Sequence, residues 1–234
     1  MSNLDSYNDL INRLNGQRMH HIVELIAYPR VADIGTDHGY IPILAVMGGK
    51  AQQVLGCDIV PGPLSAAQKN VTAYGLQDRI ELRLGNGLAP VTLADQIDTL
   101  TITGMGGPTI MGILQAGQVI ATASKQLILS PQSSVPQVRR FVHGLGFNLS
   151  GETILFENNR YYHLLNCIRS DTIETYTEAD YELGKHLVAT KTEAFVNYLA
   201  CEIAHLERIL RNPVDSVKRT QLSQRIQLYQ SAIT

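Results

Sequence analysis

A chain of 234 residues, 44% hydrophobic and 17% charged, is long enough for one core of ordinary domain size plus an appendage. Its longest apolar runs, such as "IPILAVM", are far too short for a bilayer-spanning helix, and "MSNLDSYNDL" has neither the basic nor the apolar region of a signal peptide. The net charge of −2 gives no global signal for nucleic acid, and three scattered cysteines without a C-x-x-C pair argue for a reducing cytoplasm and against a structural zinc site.

In chain order, residues 6–27 carry an amphipathic helical pattern through Leu10, Leu14, Ile22, Val23, Leu25 and Ile26, ended by Pro29. "VADIG" is the first predicted strand, and a helix follows from about His38 to Met47 with Pro42 in its first turn. "QVLGCDIV" is a second strand, Pro61 and Pro63 open a helix through Tyr74, and "RIELRLG" alternates like a half-buried third strand. "IDTLTITGMGG" gives a fourth strand and its turn, "KQLILSP" a fifth, and Ser134 to His143 a helix. "FNLSGETILFE" and "RYYHLLNCI" are two long strands meeting at Asn158–Asn159, a pair that suits a tight hairpin because Asn tolerates positive φ.

Alternating strands and helices predict a parallel, doubly wound α/β sheet, and the closing hairpin puts one antiparallel strand into it. That ending is usual for the mostly parallel seven-stranded sheet of a Rossmann-like class I methyltransferase. After residue 168 the strand signal stops. Phe195, Leu199, Ile203, Leu206 and Leu210 follow helical spacing, Pro213 breaks the run, and a second helix continues to Tyr229. The expected organisation is a cofactor-binding domain over residues 1–168 and a helical, coiled-coil-like hairpin over 169–234, serving dimerisation or substrate recognition.

Four short stretches fall at the carboxyl ends of consecutive strands, where open α/β sheets bind their ligands. Gly35 and Gly39 flank the first turn, although a glycine after a strand is often only a turn residue. Asp58 ends the second strand, placed to accept hydrogen bonds from two ribose hydroxyls or, in the plainer reading, to cap a helix. Asn86–Gly87 can read an adenine amino group and let the ring lie close, or can be a simple turn. Gly104, Gly106 and Gly107 in "ITGMGG" offer a flat backbone floor. A dinucleotide fingerprint requires G-x-G-x-x-G, and Asp37 stands where the second glycine would be. Its carboxylate would repel a pyrophosphate but suits the sulfonium and ammonium of S-adenosylmethionine (SAM), which carries no phosphate.

"RVADIGTDHGYIP", "ITGMGG" and "LILSPQ" resemble the segments "ADIGSDHAYLP", "IAGMGG" and "LILQPN" of the bacterial tRNA adenine-N1 methyltransferases that act on position 22 (the TrmK type). The resemblance covers the sheet domain from about Arg13 to Ile168 and departs at Ser130, Gln132 and Asn86, where the family usually has Gln, Asn and Asp. It implies SAM as cofactor and methyl transfer to ring N1 of an adenine in tRNA. Cofactor contacts are expected from Asp33, Gly35, Thr36, His38 and Gly39 of the first turn, from Asp58 and Ile59, from Asn86 and Gly87, and from Gly104, Met105 and Gly106. Arg13, Gly107 and Pro131 are expected to meet substrate.

The chain lacks the Asn/Asp-Pro-Pro-aromatic motif of exocyclic-amine methyltransferases, and ring N1 needs alignment rather than deprotonation. Asp37 is the candidate to accept from the neighbouring N6 amino group and stabilise developing positive charge, with a helix cap or SAM-ammonium contact as its alternative. Tyr40 is placed in the methyl or base pocket, or in the core. N1 lies on the Watson–Crick edge, so the base must be unpaired or flipped, with phosphate contacts offsetting the cost. Arg13, Arg18, Arg139, Arg140, Arg208, Arg211, Lys218 and Arg219 are the candidate cations. His20, His21 and His38 lack further ligands at metal-binding spacing, so no metal is expected. An NAD oxidoreductase, a non-catalytic interaction protein and a methyltransferase with another acceptor remain as alternatives, as do monomer and homodimer.

Overall fold

The computed structural model describes residues 3–14 and 16–234, with side chains from residue 7 on. Two helices, α1 (Asn3–Leu14) and α2 (Gln17–Glu24), precede β1 (Arg30–Ile34), α3 (Tyr40–Met47), β2 (Gln53–Asp58), α4 (Pro61–Ala73) and β3 (Ile80–Leu84). There follow β4 (Thr99–Met105), α5 (Gly107–Ala116), α6 (Gln118–Ala123), β5 (Gln126–Pro131), α7 (Val135–Gly144), β6 (Phe147–Glu157) and β7 (Arg160–Arg169). The tail comprises α8 (Lys185–Thr190), α9 (Glu193–Leu210) and α10 (Ser216–Ile233).

The strands form one seven-stranded sheet of order β3-β2-β1-β4-β5-β7-β6. β1 to β5 run parallel, and β7 is antiparallel to both of its neighbours. Helices cover both faces, so β5 is buried along its whole length and β1 beyond its first residue, as their near-continuous apolar runs require. α3 is apolar all round because it lies among the sheet, α1 and α2. Asn158 and Asn159 both take left-handed φ, 50° and 61°, which closes the two-residue hairpin between β6 and β7.

The single helix read over residues 6–27 is two. The break falls at Gly16, which is buried as the residue before α2, while residue 15 lies outside the described residues. Both helices nevertheless present their apolar residues, Tyr7 and Leu10 from α1, Ile22 and Val23 from α2, to the same cluster. Periodicity reports which face is buried, and it survives a change of axis.

α9 and α10 pair along Leu199, Ile203, Leu206, Ile226, Tyr229 and Ala232, in a cluster that also takes in Ile154 of β6. Thr192 and Asp215 cap the two helices, accepting from the backbone N–H of Phe195 and Lys218. The tail is fastened to the sheet through Arg139 of α7: its Nε lies 2.6 Å from Glu152 Oε1 of β6 in a buried ion pair, and its Nη1 donates to the tail carbonyls of Tyr181 and Glu182 at 2.9 and 3.1 Å. Arg139 is 1% exposed, which removes it from the cations expected to meet RNA.

His163 of β7 is also buried at this junction, edge-on to Tyr198 of α9 with ring centroids 4.7 Å apart, and neither ring nitrogen has a hydrogen-bond partner. Burial, and then the charge of Arg139, push its pKa down from 6.5 to about 3. The folded state keeps the imidazole neutral while the unfolded chain takes up a proton below 6.5. The stabilisation is therefore complete above that pH and drains away as pH falls toward 3. Asp33 has the opposite sense: burial raises its carboxyl from 3.8 to about 6, so acid favours the folded state across that interval. The variant His163→Phe isolates the first effect. Between pH 7.5 and 5 the wild type should lose about 2 kcal/mol more stability than the variant in urea titrations, and equal losses would refute the assignment.

Candidate cofactor and substrate site

The carboxyl ends of β1 to β4 surround a cavity of ≈ 640 Å³ at the switch point between β1 and β4. The turn after β1 is built from three left-handed residues, Gly35, Asp37 and Gly39, with φ of 76°, 50° and 74°. It is sewn to β2, because the Gly35 and Thr36 N–H groups both donate to the Cys57 carbonyl at 2.8 and 2.9 Å. Asp58 Oδ2 accepts from the Asp37 N–H at 3.0 Å and Oδ1 from the Val60 N–H at 2.8 Å. A carboxylate has about four acceptor positions, so two bonds fix this one in place and leave capacity on each oxygen for a ligand. Asp58 is not the cap of α4, which begins after Val60 without a side-chain cap.

The loop after β3 is braced from beneath. Arg83 makes two 2.8 Å bonds to the Asp95 carboxylate and a third, also 2.8 Å, to the Pro90 carbonyl. The guanidinium bonds hold Asp95 well below the usual carboxylate range. The Gly85 N–H donates to the Asp58 carbonyl at 2.9 Å. So braced, Asn86 faces the cavity and Gly87, at φ 55°, sits against Ile113 of α5.

Two features fit a nucleoside cofactor with an amino-acid end. Gly104, at φ 77°, would direct a Cβ into open space, so the backbone there can be approached closely. Asp58 keeps its spare acceptors. The Asp37 side chain is 65% exposed at the cavity wall, 3.7 Å from His38 Nε2, where a pyrophosphate would meet it unfavourably. Burial raises the Cys57 thiol in the floor to about 12, which keeps it inert.

Of the residues expected to hold cofactor, Gly35, Thr36, His38, Asp58 and Ile59 line the cavity, as do Asn86, Gly87, Gly104 and Met105. Asp37 and Tyr40 line it too, and Tyr40 also packs on the cluster around α3. The others lie elsewhere. Asp33 is buried under the turn, accepting from the Thr101 hydroxyl at 2.6 Å. Gly39 backs onto Ala67, where a Cβ would lie 3.1 Å from that side chain. Gly107 serves packing, for a Cβ there would come within 2.4 Å of the Ser133 carbonyl, and Gly106, the residue before α5, lies outside the cavity lining. Pro131 is buried in β5, and Arg13 reaches the Tyr74 hydroxyl at 2.5 Å rather than the cavity.

Arg18 is the reverse case: read as a surface cation, it lines the cavity. Its guanidinium lies 4.7 Å over the Tyr162 ring, and its backbone N–H donates to Glu157 at 3.0 Å. Thr109 and Ile113, one turn apart on α5, also line the cavity and were not singled out from sequence. Arg140 is paired with Glu178, while Arg208, Arg211, Lys218 and Arg219 are exposed where α9 gives way to α10. Among the described residues no helix is long and apolar enough to cross a membrane, and no group of three His, Cys, Asp or Glu side chains is placed to hold a metal ion.

The strand order, the antiparallel β7 and a cavity over the β1/β4 switch point define a Rossmann-like class I methyltransferase. The chain belongs to the tRNA (adenine(22)-N(1))-methyltransferase family, whose model matches residues 31–233. It is 31% identical over 215 residues to the tRNA (adenine(22)-N(1))-methyltransferase of Bacillus subtilis, covering 90% of each chain. Among solved structures it resembles Streptococcus pneumoniae Sp1610 in complex with S-adenosyl-L-methionine (30% identity, TM-score 0.86, 94% of this chain and 99% of that one). It also resembles M. capricolum TrmK in complex with S-adenosyl-homocysteine (30% identity, TM-score 0.85, 93% and 97%).

Proposed function

We propose that this chain methylates N1 of adenine 22 in tRNA with SAM as methyl donor, and that it does so in the cytoplasm. The observation that carries the reading is the coincidence of family membership with a cavity whose spare acceptors, Asp58 and Asn86, suit a nucleoside while Asp37 disfavours a pyrophosphate. SAM, when bound, supplies an electrophilic methyl group on a sulfonium.

The residues then divide the work. Asp58 accepts from the ribose hydroxyls, Asn86 reads the adenine edge of the cofactor, and Gly104 allows close approach along the floor. Asp37, exposed at the cavity wall, accepts from the N6 amino group of the target adenine and stabilises charge as N1 gains the methyl. Tyr40 borders the same space. Chemistry belongs to residues 1–168 and RNA handling extends onto the helices of 169–234.

Asp37→Asn should lower turnover on the order of a hundredfold while leaving SAM affinity nearly unchanged. Equal falls in both would make Asp37 a cofactor contact instead. The function itself is tested by incubating unmodified tRNA with methyl-labelled SAM. Label recovered as N1-methyladenosine is the expected result; bound SAM with no label entering RNA would remove tRNA as the acceptor.

A further inference from the structure

The cavity is bounded by residues from two sides of the sheet. Asp58 and Asn86 stand at and just past the carboxyl ends of β2 and β3, the pair of strands at one edge. Arg18 comes in from the other side. Leu25 and Ala27, which follow its helix, bond to Gln126 of β5, and Arg18 itself rests on the β6–β7 hairpin at the opposite edge. A ligand whose nucleoside lies on Asp58 and Asn86 therefore extends its other end toward Arg18.

The guanidinium is held in place but its donors are unspent. Arg18 is the one arginine or lysine lining the cavity among the described residues, and its side chain is 19% exposed. Tyr162 pairs with Leu155, two residues before Glu157, so the tyrosine and the acid project from the same face of the hairpin. Glu157 Oε1 accepts the Arg18 backbone N–H at 3.0 Å, and the guanidinium lies 4.7 Å over the Tyr162 ring. Arg18 Nε, at 3.7 Å from Glu157 Oε2, is beyond hydrogen-bond length and is buried without a hydrogen-bond partner. Neither Nη group bonds to any described residue.

A planar fork fixed from one side, with its terminal donors free, matches a carboxylate. The methyl donor carries one, on the amino-acid end that lies away from its nucleoside. The cavity already holds Asp37 and Asp58, so a further carboxylate is repelled there unless a cation adjoins it.

We propose that Arg18 is the receptor for the amino-acid carboxylate of the methyl donor, and that Tyr162 and Glu157 are positioning residues that hold it over the cavity. The inference rests on SAM being the cofactor. It gives the tip of a hairpin at the far edge of the sheet a part in cofactor binding.

The test compares SAM with decarboxylated SAM, which keeps the adenosine, sulfonium and ammonium and lacks only the carboxylate. Both are titrated calorimetrically into the wild type, Arg18→Met, Arg18→Lys, Tyr162→Phe and Tyr162→Leu. Arg18→Met should weaken SAM binding about tenfold or more and leave decarboxylated SAM bound as tightly as before or tighter, which also shows that the variant folds. Arg18→Lys should recover part of the loss, because it restores the charge without the fork. Tyr162→Phe keeps the ring face and should bind SAM like the wild type, whereas Tyr162→Leu should lose affinity for SAM alone. Equal losses for the two ligands in Arg18→Met, or no loss for either, overturn the proposal. Unchanged SAM affinity in Arg18→Met with weaker tRNA binding and a shallower salt dependence also overturns it, by assigning the guanidinium to a phosphate. In each of these cases the wild type still binds SAM, so the cofactor reading stands. A wild type that binds neither ligand removes that reading as well.

Discussion

Asp58→Ala is expected to raise the SAM dissociation constant by on the order of a hundredfold or more and to remove measurable methyl transfer at ordinary cofactor concentrations. Two hydrogen bonds from ribose hydroxyls to an ionised carboxylate contribute about 1.5–3 kcal/mol each when the acceptor is already fixed. Here it is fixed, because each oxygen accepts a backbone N–H, from Asp37 at 3.0 Å and Val60 at 2.8 Å. The same substitution leaves those two donors without partners, so the turn that carries Asp37 loosens as well. Asp58→Asn keeps one acceptor oxygen and should fall between wild type and alanine. Calorimetric titration with SAM reads the effect directly. An unchanged constant for Asp58→Ala would remove the ribose role and move cofactor recognition to the loop after β3.

The second large effect concerns stability. Glu152→Ala should destabilise the protein by about 3–5 kcal/mol, because it strands the Arg139 guanidinium in a site from which water is excluded. The two side chains are 2% and 1% exposed, and a Cβ on Gly184 would lie 2.7 Å from Glu152 Oε2 and 2.8 Å from Arg139 Nη2, so no solvent path is open at that point. A loss of this size is a large share of the 5–15 kcal/mol typical of a domain. Replacing both partners by apolar residues of similar volume, Arg139→Met with Glu152→Leu, should recover much of it, since neither charge then remains. Urea unfolding of the single and double variants separates the outcomes. A single-variant loss below about 1 kcal/mol would show that the guanidinium finds other compensation, for which the carbonyls of Tyr181 and Glu182 are the nearest acceptors.

These two sites also mark how far the sequence could be read. Asp58 was legible because its position is set locally, at the end of a strand, about twenty residues past a glycine turn. The hairpin was legible because two adjacent asparagines with long strands on either side leave few other options, and both do take positive φ. Arg139 was misread, although the helical period held a clue. On α7 it lies four residues after Val135 and three before Val142, all buried on one face, whereas Arg140 falls off that face and is exposed. Arg18 held no such clue, since its place in the cavity depends on how α2 lies on the sheet, with its first turn at the cavity and the residues after its last turn bonded to Gln126 at the start of β5. The glycines of "GMGG" show a different limit. Gly104 opens toward ligand space while Gly107 is demanded by the Ser133 carbonyl, and composition alone cannot separate a floor from a packing contact.

The most direct measurement is methyl transfer from labelled SAM to two unmodified transcripts of one tRNA, differing only in adenine or guanine at position 22, with the modified base located by nuclease digestion and mass spectrometry. N1-methyladenine at position 22 of the adenine transcript, and no product on the guanine transcript, is the predicted result. Equal methylation of both, or a product at another position, would contradict the assignment of adenine 22 as the acceptor.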